Sequence, residues 1–183
     1  MTTLGLLAEE VGVNERTLRR AVNQGALRAS RPSPRTMELP LSELRFVRRS
    51  WPLLSILRAA LRTEHNVRFA LLYGSAATGA DTEASDVDVL VDFRDPSLDR
   101  VVDLNTKLTA LVGRSVDVVR LQDAEGDPHF LGGLLAEGRV LVDREELWPR
   151  LRRREPALRR RGRKQQAERT RSALAGIDRL LAT

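Results

Sequence analysis

The chain has 183 residues, 42% hydrophobic and 31% charged, with a formal net charge of +6, which suits one medium domain or two small ones and argues against a disordered chain. The absence of cysteine excludes a disulfide framework, a zinc ribbon and a cysteine nucleophile, and with only two histidines, His65 and His129, a histidine-built metal centre is not expected. No apolar run approaches the ~18 to 20 residues of a membrane span and Met1–Glu10 has no basic head, so a soluble cytoplasmic protein is expected, with any metal held by carboxylates and hard in character, magnesium or manganese.

Charge is segregated along the chain. Residues 1–65 carry eleven basic and six acidic side chains, residues 66–144 carry eight and fourteen, and residues 145–183 carry twelve and five. An acidic centre between basic flanks suggests a middle that gathers cations and ends that meet phosphate backbones. Only Lys107 and Lys164 of the 31 basic residues are lysine.

At the N-terminus, Leu4, Leu7, Ala8 and Val11 fall at helical spacing, and Gly12 ends that helix. Asn14 is suited to cap a second helix through Val22, with Leu18, Ala21 and Val22 inward and Arg16, Arg19 and Arg20 outward. Gly25 ends it. A tight turn followed by an arginine-studded helix meets the requirements of a major-groove reader. The segment Leu4–Phe46 resembles the helix-turn-helix of the excisionase and MerR-like winged group, with Ala26–Leu39 as the basic hairpin and a helix from Ser42. On that resemblance the DNA-binding residues are Arg16, Thr17, Arg19, Arg20, Arg28, Arg31 and Arg35. An ordinary three-helix module with a solvated arginine face is the alternative. Ser50-Trp51-Pro52 reads as a helix stop and restart, and Leu53, Leu54, Ile56, Leu57, Ala60 and Leu61 form a broad apolar face that should pack on the middle domain.

Val67–Tyr73 fits a buried strand ending at Gly74-Ser75. A second strand, Ser85–Val91, places Asp86 and Asp88 on one face because side chains two apart on a strand point the same way. Asp92 is in phase with them and is expected at the surface. Leu98–Gly113 reads as a helix with Val101, Val102, Leu104, Leu108 and Leu111 buried. A third strand, Ser115–Val119, carries Asp117. Gln122–Pro128 reads as an acidic loop, Phe130–Glu137 as a short helix and Gly138–Asp143 as a closing strand. His129 is left outside the site.

Three carboxylates on neighbouring strands can hold two divalent ions, and a glycine at the turn lets the backbone approach a phosphate. Gly74-Ser75, Ser85-Asp86-Val87-Asp88 and Asp117 together resemble the polymerase-beta nucleotidyltransferase superfamily, closest to its minimal, MNT-like branch, over about residues 65–144. The resemblance implies nucleotide binding by Gly74, Ser75 and Ser85, and catalysis and metal ligation by Asp86, Asp88 and Asp117, with Mg2+ or Mn2+ as cofactor and ATP or another NTP as substrate. Thr78 departs from the pattern, standing where minimal members often have arginine.

Leu147–Arg163 holds eight arginines, with Pro149 and Pro156 expected to interrupt any long helix. From Lys164 onward Ala167, Thr170, Leu174, Ile177 and Leu181 recur at steps of three and four, the seam of a helix pair, widened by Leu180. The expected fold is α+β. A winged helix-turn-helix (1–50) and a connecting helix (51–65) precede a nucleotidyltransferase mixed sheet with flanking helices (66–144) and a basic helical tail (145–183). Minimal members of the family are commonly antitoxins, some transferring AMP onto a tyrosine of a HEPN-type toxin. The expectation is therefore a magnesium-dependent transferase acting on a protein or RNA hydroxyl, an antitoxin that also binds DNA to regulate itself. Its partners are DNA and a cognate toxin or RNA acceptor, with no membrane, and the resemblance allows a homodimer. Two alternatives stand beside it: a transcriptional regulator whose transferase fold senses or docks without catalysis, and a transferase acting on an aminoglycoside-like small molecule.

Overall fold

The computed structural model describes residues 4–33 and 36–181, with the side chains of Ser33, Thr36 and 175–181 outside that description. Arg35, assigned to the basic hairpin, lies outside the described residues, as do the side chains of Ile177, Leu180 and Leu181.

Helices α1 (Leu4–Glu10) and α2 (Glu15–Asn23) pack against each other through Leu4, Leu7, Ala8, Leu18 and Ala21. The Asn14 side chain accepts from the Arg16 amide at 2.8 Å and starts α2, satisfying a donor that the first helical turn leaves free. Strands β1 (Ser30–Ser33) and β2 (Thr36–Glu38) form an antiparallel hairpin. Helix α3 then runs from Leu41 to Thr63 without a break. The stop expected at Ser50-Trp51-Pro52 does not occur, and the limit drawn at residue 50 falls inside this helix. An interior proline costs ~3 kcal/mol. Burial on both sides of it offsets that cost: Phe46, Val47, Trp51, Leu54, Leu57 and Leu61 form one covered stripe, while Pro52 faces solvent.

The main sheet has the order β5–β4–β3–β6, with β3 (Val67–Tyr73) antiparallel to both β4 (Val87–Phe93) and β6 (Arg139–Asp143), and β4 parallel to β5 (Val116–Arg120). It is a mixed sheet with helices on both faces. Val87, Val89 and Val91 join the core that includes α3 and the N-terminal helices, and Phe69, Leu71, Tyr73 and Leu90 join the opposite core. Two short helices interrupt the expected turn and acidic loop, α4 (Gly74–Thr78) and α6 (Leu121–Ala124). In α5 (Leu98–Val112), Leu104 and Leu108 are buried, but Val102 and Leu111 are exposed. The expected stripe is wider than the face that α3 and the sheet cover.

Helix α7 (Pro128–Glu137) is capped by the Asp127 carboxylate, which accepts from the amides of His129 and Phe130. Helix α8 (Leu147–Leu181) is continuous, contrary to the breaks expected at Pro149 and Pro156. Pro149 is in its first turn, where the missing N–H has no intrahelical partner. Around Pro156 the helix is held by packing on α7, where Gly132 and Gly162 let the two backbones approach: a Cβ on Gly132 would meet Arg159, and one on Gly162 would meet the His129 backbone. Beyond this contact Ala167, Thr170 and Leu174 are exposed, so this described part of the seam does not pack on the middle of the chain.

The N-terminal elements are joined to the sheet along β6. The Val140 amide donates to the Gly25 carbonyl at 3.1 Å, and Arg58 of α3 donates to the Val140 carbonyl at 2.7 Å. No described helix is long and apolar enough to cross a membrane.

Candidate active site

The sheet's hydrogen-bond register brings the key residues together. Tyr73 at the end of β3 pairs with Asp88 on β4, and Asp88 pairs with Asp117 on the parallel strand β5. Neighbouring strands lie about 4.8 Å apart, so the two carboxylates stand side by side on adjacent strands. Asp86 precedes the first residue of β4 instead of lying within the strand, as expected from the alternation. Freed from the ladder, it is exposed, as is Asp117, while Asp88 is half-buried.

Gly74 takes φ +68 at the point where β3 turns into α4, and a Cβ there would collide with the Asp88 carboxylate. That close approach requires glycine on both counts. Gly74→Ala is expected to destabilise the fold by about 1–2 kcal/mol from the left-handed backbone alone and to push Asp88 off its position. A urea melt and a transfer assay on one preparation check both effects.

The Ser75 carbonyl ties the turn, accepting from the amides of Gly79 and Ala80 and the Thr78 hydroxyl, each at 3.0 Å. Thr78, standing where minimal members of the resembled family often have arginine, thus braces the turn. Among the described residues the Ser75 hydroxyl makes no hydrogen bond and remains available to an oxygen acceptor. The Ser85 hydroxyl is already engaged: it accepts from the Thr82 amide at 2.9 Å and lies 3.0 Å from the Thr82 hydroxyl, shaping the loop that presents Asp86. Asp92 shares the Asp88 face but is separated from it by buried Leu90, and it pairs with Arg68 at 2.9 Å.

Burial, and then the nearby charges of Asp117 and Asp86, hold the Asp88 carboxyl above the usual carboxylate range. Tyr73, buried beneath the site and edge-on to Phe130, has its hydroxyl pushed up to about 12 by burial and then by Asp88 and Asp117. None of the three carboxylates is ion-paired to a basic side chain among the described residues. Such a cluster suits a hard divalent cation in donor chemistry. Among the described residues no three ligating side chains already converge on one point, so enclosing an ion requires Asp86 and Asp117 to turn toward Asp88. Both are exposed and able to do so.

One buried residue was missed by the sequence reading. Arg139, fully buried on β6, donates from Nε to the Ala77 carbonyl of α4 at 2.5 Å. It meets both Glu43 carboxylate oxygens at 2.5 and 3.0 Å and sits 3.3 Å over the Phe46 ring. Burial lowers its pKa, and the bond to Glu43 opposes that shift. A charged residue beside the apolar run Val140–Val142 was the available signal. Of the proposed DNA contacts, Arg19 is paired with Glu15 at 2.5 Å, Arg28 donates to the Glu137 carbonyl and Arg31 to Asn23. Arg16, Thr17 and Arg20 are on α2, all three exposed.

The chain is 45% identical over 60 residues to a protein adenylyltransferase, MntA, of Thermococcus cleftensis, a match covering 32% of this chain and 61% of that protein. It therefore spans less than two thirds of that relative. In structure it is similar to a toxin–antitoxin crystal structure with AMP-PNP (TM-score 0.52, 22% identity, 70% of this chain and 98% of that one). It is also similar to a mutant of the toxin–antitoxin complex MntA–HpeT (TM-score 0.50, 20% identity, 72% and 98%). At these identities the likeness establishes the fold. Residues 56–147, half of the chain, match the family described as polymerase beta nucleotidyltransferase, and with the paired aspartates and the glycine-serine turn lying inside that match, the chain belongs to this family.

Proposed function

We propose that the protein transfers a nucleoside monophosphate, AMP from ATP, to a hydroxyl of a macromolecular acceptor, a cognate toxin protein or an RNA. The carrying observation is the register of Asp88 beside Asp117, with Gly74 turned onto Asp88 and no basic side chain paired with the carboxylates among the described residues. The adenylyltransferase relative and the toxin–antitoxin neighbours support the choice of AMP and of a protein acceptor. Asp86, Asp88 and Asp117 would hold magnesium or manganese, which would screen the triphosphate charge.

The chain's own residues supply the rest. Gly74 allows the triphosphate to approach the backbone, and the Ser75 hydroxyl donates to a phosphate oxygen. The acceptor oxygen forms a bond to the α-phosphorus as the α–β bridging bond breaks. Pyrophosphate leaves, and the acceptor proton passes to the Asp117 carboxylate.

The N-terminal helices and hairpin are read as a winged helix-turn-helix that binds DNA near the protein's own gene. That reading rests on the capped, arginine-bearing α2 followed by β1–β2. Equal affinity for the promoter region and for random DNA would sink it. Incubating the protein with magnesium, each α-labelled NTP in turn and host lysate tests the transferase. The expected result is label in a discrete protein or RNA band, and no label with any NTP would refute the proposal.

A further inference from the structure

Helices α2 and α3 line an open cavity of about 350 Å³ that none of the three carboxylates borders. Four arginines line it, Arg16 and Arg20 from α2 and Arg58 and Arg62 from α3, together with Asn14, Thr17 and Ser55. Trp51 and Ala21 complete the lining, both buried. No acidic residue lines this cavity, and none of the four arginines is ion-paired among the described residues. A neighbouring cavity of about 620 Å³ shares Arg20, Arg58 and Arg62 and adds Arg144, with Asp143 and Glu146 as its acidic members. Asp143 is occupied in accepting from the amides of Leu147 and Trp148 at the start of α8.

Arg58 is the informative member. It is only 8% exposed, yet its acceptors are neutral, the Val140 carbonyl and the Gln24 side chain. Burial, and then the charge of Arg62 one turn on, lower its pKa to about 10. A buried cation without an anion is costly, and a second cation beside it adds to that cost. An anion entering between them relieves both. Arg62 is held by its Nε on the Arg58 carbonyl at 3.1 Å.

We infer that this cavity binds the phosphoryl groups of a phosphate-bearing ligand. A lining of four arginines with a serine, a threonine and an asparagine suits a tetrahedral, multiply charged oxyanion better than a single carboxylate, because each phosphoryl group accepts several charge-assisted hydrogen bonds. Arg16, Thr17 and Arg20 have already been read as DNA contacts. Arg58, Arg62 and Ser55 lie on α3, beyond those contacts, and extend the surface into a recess. The phosphoryl groups come from a free polyphosphate compound such as a nucleotide or from a nucleic-acid backbone.

Sodium tripolyphosphate in EDTA is the probe, titrated into the full-length protein by calorimetry and by fluorescence, since Trp51 lines the cavity and the chain has two tryptophans. Without divalent metal the acidic site repels the probe, so the result is independent of the transferase reading. One saturable site is expected. Arg16→Gln/Arg62→Gln, at exposed positions, should weaken binding at least about tenfold, and Arg58→Lys, which keeps the charge and loses the fork, should weaken it as well. Arg160→Gln/Arg161→Gln on α8 removes the same charge elsewhere and should leave it unchanged. Non-saturable binding, or equal loss in both double variants, overturns the inference. Displacement of the probe by a short DNA duplex would identify a backbone phosphate as the source, and saturable binding without displacement a free compound.

Discussion

Replacing Asp88 by asparagine is expected to reduce nucleotide transfer about 10³-fold, the scale of losing a group that acts directly on transition-state charge, while making the metal-free protein more stable at neutral pH. Both effects have one origin. Asp88 is half-buried beside Asp117 and Asp86, and its carboxyl is held above its usual range by burial and by those two charges. Its folded-state pKa is thus above its unfolded one, so between the two values the native chain binds more protons than the unfolded chain. The contribution of this group to stability is then greatest at acidic pH and is lost as pH rises through the folded value. Asparagine cannot ionise and removes that loss. Melting curves in EDTA at pH 5 and pH 8 should show a higher Tm for Asp88→Asn than for the wild type at the higher pH, the difference shrinking at the lower. Adding magnesium should stabilise the wild type and not the variant. An active Asp88→Asn protein would remove the carboxylate from the mechanism.

Removing the Glu43 carboxylate is expected to cost about 3–5 kcal/mol, because the Arg139 guanidinium then stays buried without its anion. Both partners are at most 2–3% exposed at their side chains, so water cannot substitute. Glu43→Ala should lower Tm by roughly 2–4 °C for each of those kcal/mol. Glu43→Leu/Arg139→Met, apolar at both positions, should recover most of that loss, and the double-mutant cycle measures the coupling. It should not recover transfer fully, because Arg139 also holds the Ala77 carbonyl of the turn after Gly74. A double variant with unchanged KM for the nucleotide would show that α4 does not need this brace.

Much of the candidate site was legible in the sequence because glycine and aspartate have few reasons to be where they are. Asp88 and Asp117 interrupt valine runs, and Gly74 follows a strand too apolar to be a surface turn. The opposite face of β4, Val87, Val89 and Val91, followed from strand periodicity alone. The helices were less legible where proline was taken as decisive. Pro52 and Pro156 lie within long helices because tertiary burial on either side outweighs a missing hydrogen bond, a balance that local propensity does not contain. Arg139 and Glu43, 96 residues apart, could not be paired without the fold. Ser85 illustrates the reverse limit: the motif includes it, but its hydroxyl is turned to Thr82.

The contact of Gly25 and Arg58 with Val140 bears on how this protein can be dissected. β6 is the last strand in the order β5–β4–β3–β6, and on its outer side the Val140 amide donates to the Gly25 carbonyl while the Val140 carbonyl accepts from Arg58. An uncovered outer strand is a template for joining another chain, and proteins that bear one tend to stick to themselves. Here the N-terminal segment is the cover. A fragment trimmed to the transferase region would carry an adhesive border, and its precipitation or self-association would reflect that exposed border and not a defect in the catalytic fold.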